Sequence, residues 1–209
     1  MDADRFPTVT NADELRTILG EVSQPARDKE RTQLLDVDRA WLAASPFCFM
    51  ATSDNDGACD VSPRGDPPGF TLILDDQTIA LPERSGNRRG DSLHNLLANP
   101  HVGLNYLIPG RGDTLRINGR VTLVRDAPFF EDLVVKGHRP SLAIVVHIEQ
   151  LFFHCSKAFL RSALWDPASW SPENVPSRAN IAHEYESSQR TLEELQEYYG
   201  ERYKQGLYE

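Results

Sequence analysis

The stretch FCFMATSDNDGACDVS, residues 47–62, decides the fold. The segment FCFMATS (47–53) has the period of two that is typical of a β-strand. The sequence DNDG (54–57) follows, and its Asp-Gly pair supplies the positive φ that a tight turn needs. ACDVS (58–62) then reads as a second strand. We therefore predict a β-hairpin at this point of the chain.

Several downstream segments have the same strand pattern. They are FTLILD (70–75), TIALP (78–82), HVGLNYLIPG (101–110), DTLRINGRVTLVRD (113–126), SLAIVVHIE (141–149) and LFFHCSKAF (151–159). Strands follow strands without crossover helices between them, which disfavours a doubly wound α/β fold. Short strands separated by regular turn signals favour an antiparallel barrel or sandwich.

Helical patterns lie on both sides of the strands. Near the start, TNADELRTILG (10–20) has a capping residue, apolar residues at helical spacing and a terminal glycine. DVDRAWLAASP (36–46) carries a second apolar stripe, and residues 177–206 carry Leu192 and Leu195 at helical spacing. We predict one domain over residues 1–209, which comprises a helical N-terminal extension (1–45), a barrel (46–165) and a helical C-terminal tail (166–209).

The composition narrows the class of partner. The chain has 22 Lys plus Arg against 31 Asp plus Glu, a net charge of −9. This argues against a general nucleic-acid binder, although a small anionic ligand in a local pocket is compatible with it. Because the first residues are acidic and no unbroken apolar stretch follows them, we expect no secretory signal, and no segment approaches the roughly 20 apolar residues of a membrane span. Because Cys48, Cys59 and Cys155 form no Cys-x-x-Cys pair, we expect a cytoplasmic protein with reduced thiols.

A local cluster of positive charge lies in PERSGNRRGDS (82–92). Arg84, Arg88 and Arg89 come directly before the helix that we predict in DSLHNLLANP (91–100). A helix N-terminus presents unpaired N–H groups and about half a positive charge, which favours an anion such as phosphate. The alternative is a solvated loop whose arginines pair with nearby acids, and spacing alone does not decide between the two.

Other candidates lie on a strand and on a rigid loop. In DTLRINGRVTLVR (113–125), alternation places Thr114 and Arg116 on the polar face, which is either solvated or in contact with a planar, carbonyl-bearing ligand. The Pro- and Gly-rich loop SPRGDPPGF (62–70) has Arg64 near its start and either turns a corner or holds a ligand.

Residues 154–165, HCSKAFLRSALW, raise two further possibilities. His154 and Cys155 do not make a convincing metal site with His147, because neighbours on a strand point to opposite faces and no fourth ligand has suitable spacing. We therefore predict no metal. Lys157 and Trp165 can add charge and aromatic surface to a ligand pocket or a subunit contact.

Taken in order, these motifs resemble the pyridoxamine 5′-phosphate oxidase-related, FMN-binding split-barrel proteins. The resemblance covers roughly residues 10–165 and is carried by FMATSDNDG, DVSPRGDPPGF, ALPERSGNRRGDSLHNLLANPHVGLNYLIPG, DTLRINGRV and HCSKAFLRSALW. It is strongest to the branch that has the Ser-Pro-Arg-Gly-Asp and Gly-Asn-Arg-Arg signatures.

The resemblance implies a fold, a cofactor and an assembly. The fold is mainly β (α+β), a six-stranded antiparallel Greek-key split barrel with flanking helices, and the assembly is a homodimer with FMN at the subunit interface. The family's phosphate contacts fall on Arg84, Asn87, Arg88 and Arg89. Thr114 and Arg116 correspond to the strand that lines the isoalloxazine ring. Arg64, Lys157 and Trp165 are further flavin-binding candidates.

The resemblance also limits the activity that can be expected. The true oxidases carry Arg-x-Val-Leu-Leu-Lys and a C-terminal Arg-Leu-His segment, whereas this chain has PPGFTLILD (67–75) and no Arg-Leu-His. The expected function is therefore a flavin-dependent oxidoreductase of unknown small-molecule substrate, with no residue assigned as a catalytic acid or base. The alternatives are a non-catalytic flavin-binding module for storage or sensing, and a protein that binds haem or a deazaflavin coenzyme.

Overall fold

The structure is a computed structural model that describes residues 6–186 and 189–208. Residues 1–5, which belong to the predicted N-terminal extension, and residues 187–188 and 209 of the predicted tail lie outside the described residues. The chain forms two compact units, Met1–Glu30 and Arg31–Glu209.

The first unit contains two short helices, α1 (Ala12–Leu19) and α2 (Gln24–Asp28). The side chain of Asn11 caps α1 by accepting a hydrogen bond from the backbone N–H of Glu14 at 2.9 Å. Gly20 follows α1 with φ 76°, a value that favours glycine. The sequence prediction of a helix bounded by these residues is confirmed.

The second unit is built on one antiparallel sheet in the strand order β2-β1-β5-β6-β7-β4-β3. Its strands are β1 (Phe47–Ser53), β2 (Cys59–Gly65), β3 (Leu72–Ile73), β4 (Thr78–Glu83), β5 (His101–Leu107), β6 (Thr114–Val124) and β7 (Leu142–His154). The antiparallel split barrel with flanking helices is thus confirmed. The sheet has seven strands where six are predicted, and the two-residue β3 accounts for the difference.

The predicted strand pair at 141–149 and 151–159 is wrong in two respects. The structure has one continuous strand, β7, across this region, and a helix begins at Lys157. Opposite β7, Asn118 pairs with Gln150 while Gly119 pairs with Ile148, so Glu149 is an extra residue in a β-bulge. The extra residue of the bulge interrupts the alternating pattern, so that the sequence resembles two strands with a break between them.

The core of the barrel comes from the inward-facing residues of the strands. On β1, Cys48 and Met50 are fully buried, whereas Phe49 between them is exposed on the outer face. The buried aliphatic and aromatic side chains of five strands form a single cluster: Cys48, Met50, Ile79, Leu81, Leu104, Tyr106, Leu115, Ile117, Ile144, Val146 and Ile148. Burial of this apolar surface is the main stabilising contribution to the barrel.

Ion pairs close the barrel between strands that are distant in the sheet. β2 and β4 are separated by four strands in the sheet order. Arg64 at the end of β2 nevertheless pairs with Glu83 at the end of β4. Just beyond both strands, the Nε of Arg84 donates to Oδ2 of Asp66 at 2.5 Å. These two pairs bring the rigid loop after β2 against the arginine-rich loop after β4.

Two helices flank the sheet near this closure. They are α3 (Asp36–Ala44) and α4 (Asp91–Ala98). The Nδ2 of Asn95 on α4 donates to Oγ1 of Thr52 on β1 at 3.1 Å. Ser92 donates to the Asp60 carboxylate on β2 at 2.5 Å. The start of α4, and with it the end of the arginine-rich loop, is therefore fixed against the barrel.

Short helices follow β7. The α-helices are α5 (Lys157–Ser162), α6 (Arg178–Tyr185), α7 (Leu192–Glu197) and α8 (Tyr203–Gln205), with 3-10 turns at Pro167–Ser169 and Pro172–Asn174 and a π-helical turn (Tyr198–Arg202) before α8. Ala179, Ala182 and Leu195 form a small core between α6 and α7. Over the ranges that the structure describes, no helix is both long and apolar enough to cross a membrane.

Candidate functional site

Arg84 is held by protein acceptors on three sides. Besides the pair with Asp66, its Nη2 donates to the backbone carbonyl of Leu133 at 2.8 Å and its Nη1 to that of His138 at 3.4 Å. The side chains of Arg84 and Asp66 are 15% and 2% exposed, respectively. Arg84 therefore anchors the loop to the barrel, and most of its hydrogen-bonding capacity is used within the protein.

Arg88 differs from Arg84 in both backbone and side chain. Its φ is 60°, in the left-handed region that non-glycine residues adopt at a cost of roughly 1–3 kcal/mol. In the described part of the chain, no acidic residue forms an ion pair with it. Arg88 is thus an exposed cation without an acidic partner among the described residues, and its backbone conformation is of the strained kind that clusters at functional sites.

The residues on either side of Arg88 complete the loop. The side-chain oxygen of Asn87 accepts a hydrogen bond from the backbone N–H of Arg89 at 3.0 Å. The Nε of Arg89 donates to Oδ2 of Asp91 at 2.8 Å, and both side chains are exposed. Gly90, with φ 67°, then leads into α4. The predicted position of the arginines before a helix N-terminus is confirmed.

A cavity of about 350 Å³ lies beside this loop. One wall comes from the loop itself and another from residues 138–141, which precede β7. The lining residues are Glu83, Arg84, Ser85, Gly86, Arg88, His138, Arg139, Pro140, Ser141 and Tyr208. The ion pairs of Arg139 with Asp126 and Glu131 satisfy its charge, so Arg88 is the lining arginine with no acidic partner among the described residues.

Arg64 lies on the β2 side of the contact between the ends of β2 and β4, opposite the arginine-rich loop. Its Nη1 is paired with Glu83, while its Nε is buried and has no hydrogen-bond partner among the described residues. Burial raises the pKa of the nearby Cys48 thiol to about 12, although the Arg64 guanidinium opposes this shift. Cys48 therefore stays protonated near neutral pH and is not a nucleophile.

A second group of predicted residues lies on β6. Thr114 is buried at the start of the strand. The Nη2 of Arg116 donates to Oε1 of Gln150 at 2.8 Å, and its guanidinium lies over the ring of Phe152 at 4.5 Å from the centroid. The Nε of Arg116 is buried with no hydrogen-bond partner among the described residues.

Asn105 is a candidate that the sequence reasoning missed. It lies directly opposite Arg116 on β5, and its side-chain oxygen is also buried and unpaired within the described residues. An unsatisfied acceptor next to an unsatisfied donor is unusual, because buried polar groups are normally hydrogen-bonded. Asn105 is identified by its position opposite Arg116 in the pairing of β5 with β6, and the sequence does not specify that register.

Lys157 and Trp165 lie around the loop that leads into β6. Lys157 is exposed at the first position of α5. The Nε1 of Trp165 donates to the backbone carbonyl of Arg111 at 2.7 Å, and its ring stacks on Phe159 with centroids 6.0 Å apart. Trp165 therefore ties α5 to the loop before Thr114 and Arg116.

The side chains of Arg64 and Arg116 lie on opposite faces of the sheet in one chain. Arg64 is opposite Cys48, which is opposite Tyr106, which in turn is opposite Leu115. Because side chains alternate along a strand, Arg116 projects from the other face. The predicted residues thus fall into two groups by their place in the fold. The loop group lies where the loops after β2 and β4 meet and comprises Arg64, Arg84, Asn87, Arg88 and Arg89. The β6 group lies on β6 and on the segment after β7 and comprises Thr114, Arg116, Lys157 and Trp165.

The fold is an antiparallel split barrel in which an arginine-rich loop precedes a helix. Residues 34–155, more than half of the chain, match the family described as pyridoxamine 5′-phosphate oxidase. The chain therefore belongs to the pyridoxamine 5′-phosphate oxidase family. No curated protein matches the sequence.

Solved structures are similar to this chain at low sequence identity. HupZ from Group A Streptococcus is 15% identical, with 57% of this chain and 93% of that chain covered and a TM-score of 0.47. An FMN-binding protein from Syntrophomonas wolfei is 12% identical, with 57% and 89% covered and a TM-score of 0.43. A general stress protein 26-related member of the pyridoxinephosphate oxidase family from Clostridium acetobutylicum is 15% identical, with 56% and 85% covered and a TM-score of 0.43.

Proposed function

We propose that this protein binds FMN and transfers hydride or electrons between the flavin and a small substrate. The observation that carries the proposal is Arg88, an unpaired cation held at φ 60° beside a cavity and before a helix. A phosphate group would neutralise this charge through charge-assisted hydrogen bonds. Membership of the pyridoxamine 5′-phosphate oxidase family supports the choice of a flavin.

The loop group fits a phosphate. Arg88 and Arg89 would donate to the phosphate oxygens, with Asn87 orienting the loop through its bond to the Arg89 N–H. We assign Arg84 the role of holding the loop, because its donors are bound to protein acceptors. The unpaired Nε of Arg64, at the end of β2, offers a further donor.

The β6 group fits the polar edge of an isoalloxazine ring. That edge combines carbonyl oxygens with an N–H, so it needs both a donor and an acceptor from the protein. Arg116 and Asn105 supply one unpaired atom of each kind on neighbouring strands. We assign Thr114 to the same surface, and Lys157 and Trp165 to its border.

We further propose a homodimer in which one ligand contacts the loop group of one subunit and the β6 group of its partner. Arg64 and Arg116 project from opposite faces of the sheet, so one ligand bound to a single chain would not contact both side chains. A second copy would bring the missing group to the same ligand. Such an isologous arrangement forms two equivalent sites.

The chemistry divides between cofactor and protein. Bound FMN would supply the hydride-accepting or electron-accepting centre. The protein would hold the phosphate at Arg88 and Arg89 and stabilise negative charge at the polar ring edge through Arg116 or Lys157. The high pKa of Cys48 excludes it as a thiolate nucleophile near neutral pH. We assign no residue as a catalytic acid or base.

Titration with FMN and with riboflavin, followed by fluorescence quenching, tests the proposal. We expect FMN to bind more tightly than riboflavin, because riboflavin lacks the phosphate that Arg88 and Arg89 would hold. Reduction of the bound flavin by NADH or NADPH under anaerobic conditions would support the oxidoreductase assignment. A protein that binds FMN but is not reduced would instead be a flavin-binding module.

Failure to bind either flavin would contradict the proposal. In that event, uptake of haem, detected by its Soret band, or of a deazaflavin coenzyme, detected by its absorbance, would identify a different ligand for the barrel.

A further inference from the structure

Tyr208 joins the helical tail to the arginine-rich loop. Its hydroxyl donates to Oδ1 of Asp66 at 2.6 Å, while Oδ2 of the same carboxylate accepts from Arg84 at 2.5 Å. The carboxylate raises the pKa of Tyr208, so the phenol stays protonated and continues to donate. Asp66 is thus a shared acceptor for the tail and the loop.

The ring of Tyr208 is held as firmly as its hydroxyl. It stacks on His138 with centroids 5.9 Å apart, and the Arg84 guanidinium lies 5.7 Å from its centroid. The Nζ of Lys136 approaches the same centroid at 5.4 Å. Two reciprocal backbone hydrogen bonds between Val135 and His138, at 3.2 and 2.9 Å, fix the turn that carries Lys136 and His138. The ring therefore has a defined position.

That position forms a wall of the cavity that Arg88 also lines. With Tyr208 in place, about 350 Å³ of space remains. This space accommodates several waters and has room for a phosphate group. Tyr208 accordingly narrows the cavity without filling it.

We propose that Tyr208 is a binding residue of the site and that the tail retains the phosphate of the ligand that Arg88 binds. This inference rests on the proposed function and adds to it a contribution from outside the barrel. A ring wall in this cavity would limit the access of water to a bound anion and so strengthen the attraction between the anion and the Arg88 guanidinium. The tail thereby slows the escape of the ligand.

Equilibrium binding and dissociation rates of FMN and riboflavin, measured by fluorescence for three variants, test the inference. Tyr208→Ala removes the ring and the hydroxyl, and we expect the Kd for FMN to rise about tenfold, mainly through faster dissociation. Tyr208→Phe keeps the ring and should raise the Kd for FMN only about two- to threefold. Riboflavin binding should be the same in all proteins. Tyr185→Ala is the matched control, because this tail tyrosine is 78% exposed.

The outcomes separate the two proposals. Unchanged FMN binding in Tyr208→Ala, with a wild-type circular dichroism spectrum, would reject the role of Tyr208 and leave FMN binding intact. Tighter FMN binding in Tyr208→Ala would show that the tyrosine blocks the cavity, which also overturns the inference. If the wild-type protein binds neither flavin, the proposed function fails and this inference fails with it.

Discussion

Replacing Arg88 and Arg89 together with alanine is expected to lower the affinity for FMN at least tenfold, a loss of about 1.4 kcal/mol or more in binding free energy. The reason is that these two side chains would make the charge-assisted bonds to the phosphate. Isothermal titration or fluorescence quenching measures the change. Affinity for riboflavin should be unaffected, because it has no phosphate.

Two controls separate this effect from net charge and from folding. Arg27→Ala with Arg125→Ala removes the same two charges from exposed positions and should leave FMN affinity unchanged. Arg88→Gly removes one charge from the loop while placing glycine at φ 60°, which it adopts without strain. We expect Arg88→Gly to weaken FMN binding without lowering the melting temperature. Wild-type affinity in the double alanine variant would place the phosphate elsewhere.

Gly119→Ala is expected to cause the largest loss of stability, about 3 kcal/mol in the free energy of unfolding. A Cβ at this position would lie 2.1 Å from the backbone carbonyl oxygen of His147. Since the obstacle is backbone on the paired strand β7, relief would require the bulge at Glu149 to rearrange. Urea unfolding at fixed protein concentration measures the change.

Gly103→Ala is the matched control on the neighbouring strand β5. Its Cβ would meet Asn118 Oδ1 at 3.4 Å and Ala51 Cβ at 3.8 Å, which the surrounding side chains can accommodate. We expect its free energy of unfolding to change by less than about 1 kcal/mol, because alanine in a strand offsets mild crowding with a lower entropy cost. Equal free energies of unfolding for the two variants would contradict the prediction, because they would mean that the bulge at Glu149 rearranges to accommodate the added methyl group.

The sequence predicts the elements of the barrel well where alternation is strong. The alternating burial of Cys48, Phe49 and Met50 follows directly from the pattern of residues 47–53. It does not predict that β7 continues past Glu149, because a bulge adds one residue to one strand and resembles a break in the pattern. Nor does it predict that β3 has only two residues.

The sequence predicts which charged residues belong to the candidate site, but not which residues of the chain they contact. Arg88 could be selected because its loop precedes a helix, whereas the commitment of Arg84 to Asp66 depends on how the barrel closes. Asn105 becomes a candidate only through its register with Arg116, and Tyr208 only through the path of the tail. Each of these partners is a long-range contact that local patterns do not specify.

The opposite faces of Arg64 and Arg116 would have a consequence for mixed dimers if, as proposed, each ligand contacts the loop group of one subunit and the β6 group of its partner. A chain with defective Arg88 and Arg89 and a chain with defective Arg116 would each bind FMN poorly alone. In a heterodimer of the two, one site combines both defects while the other combines two intact groups. Random exchange of equal amounts would thus restore about a quarter of the sites. Two inactive chains would complement each other across their interface.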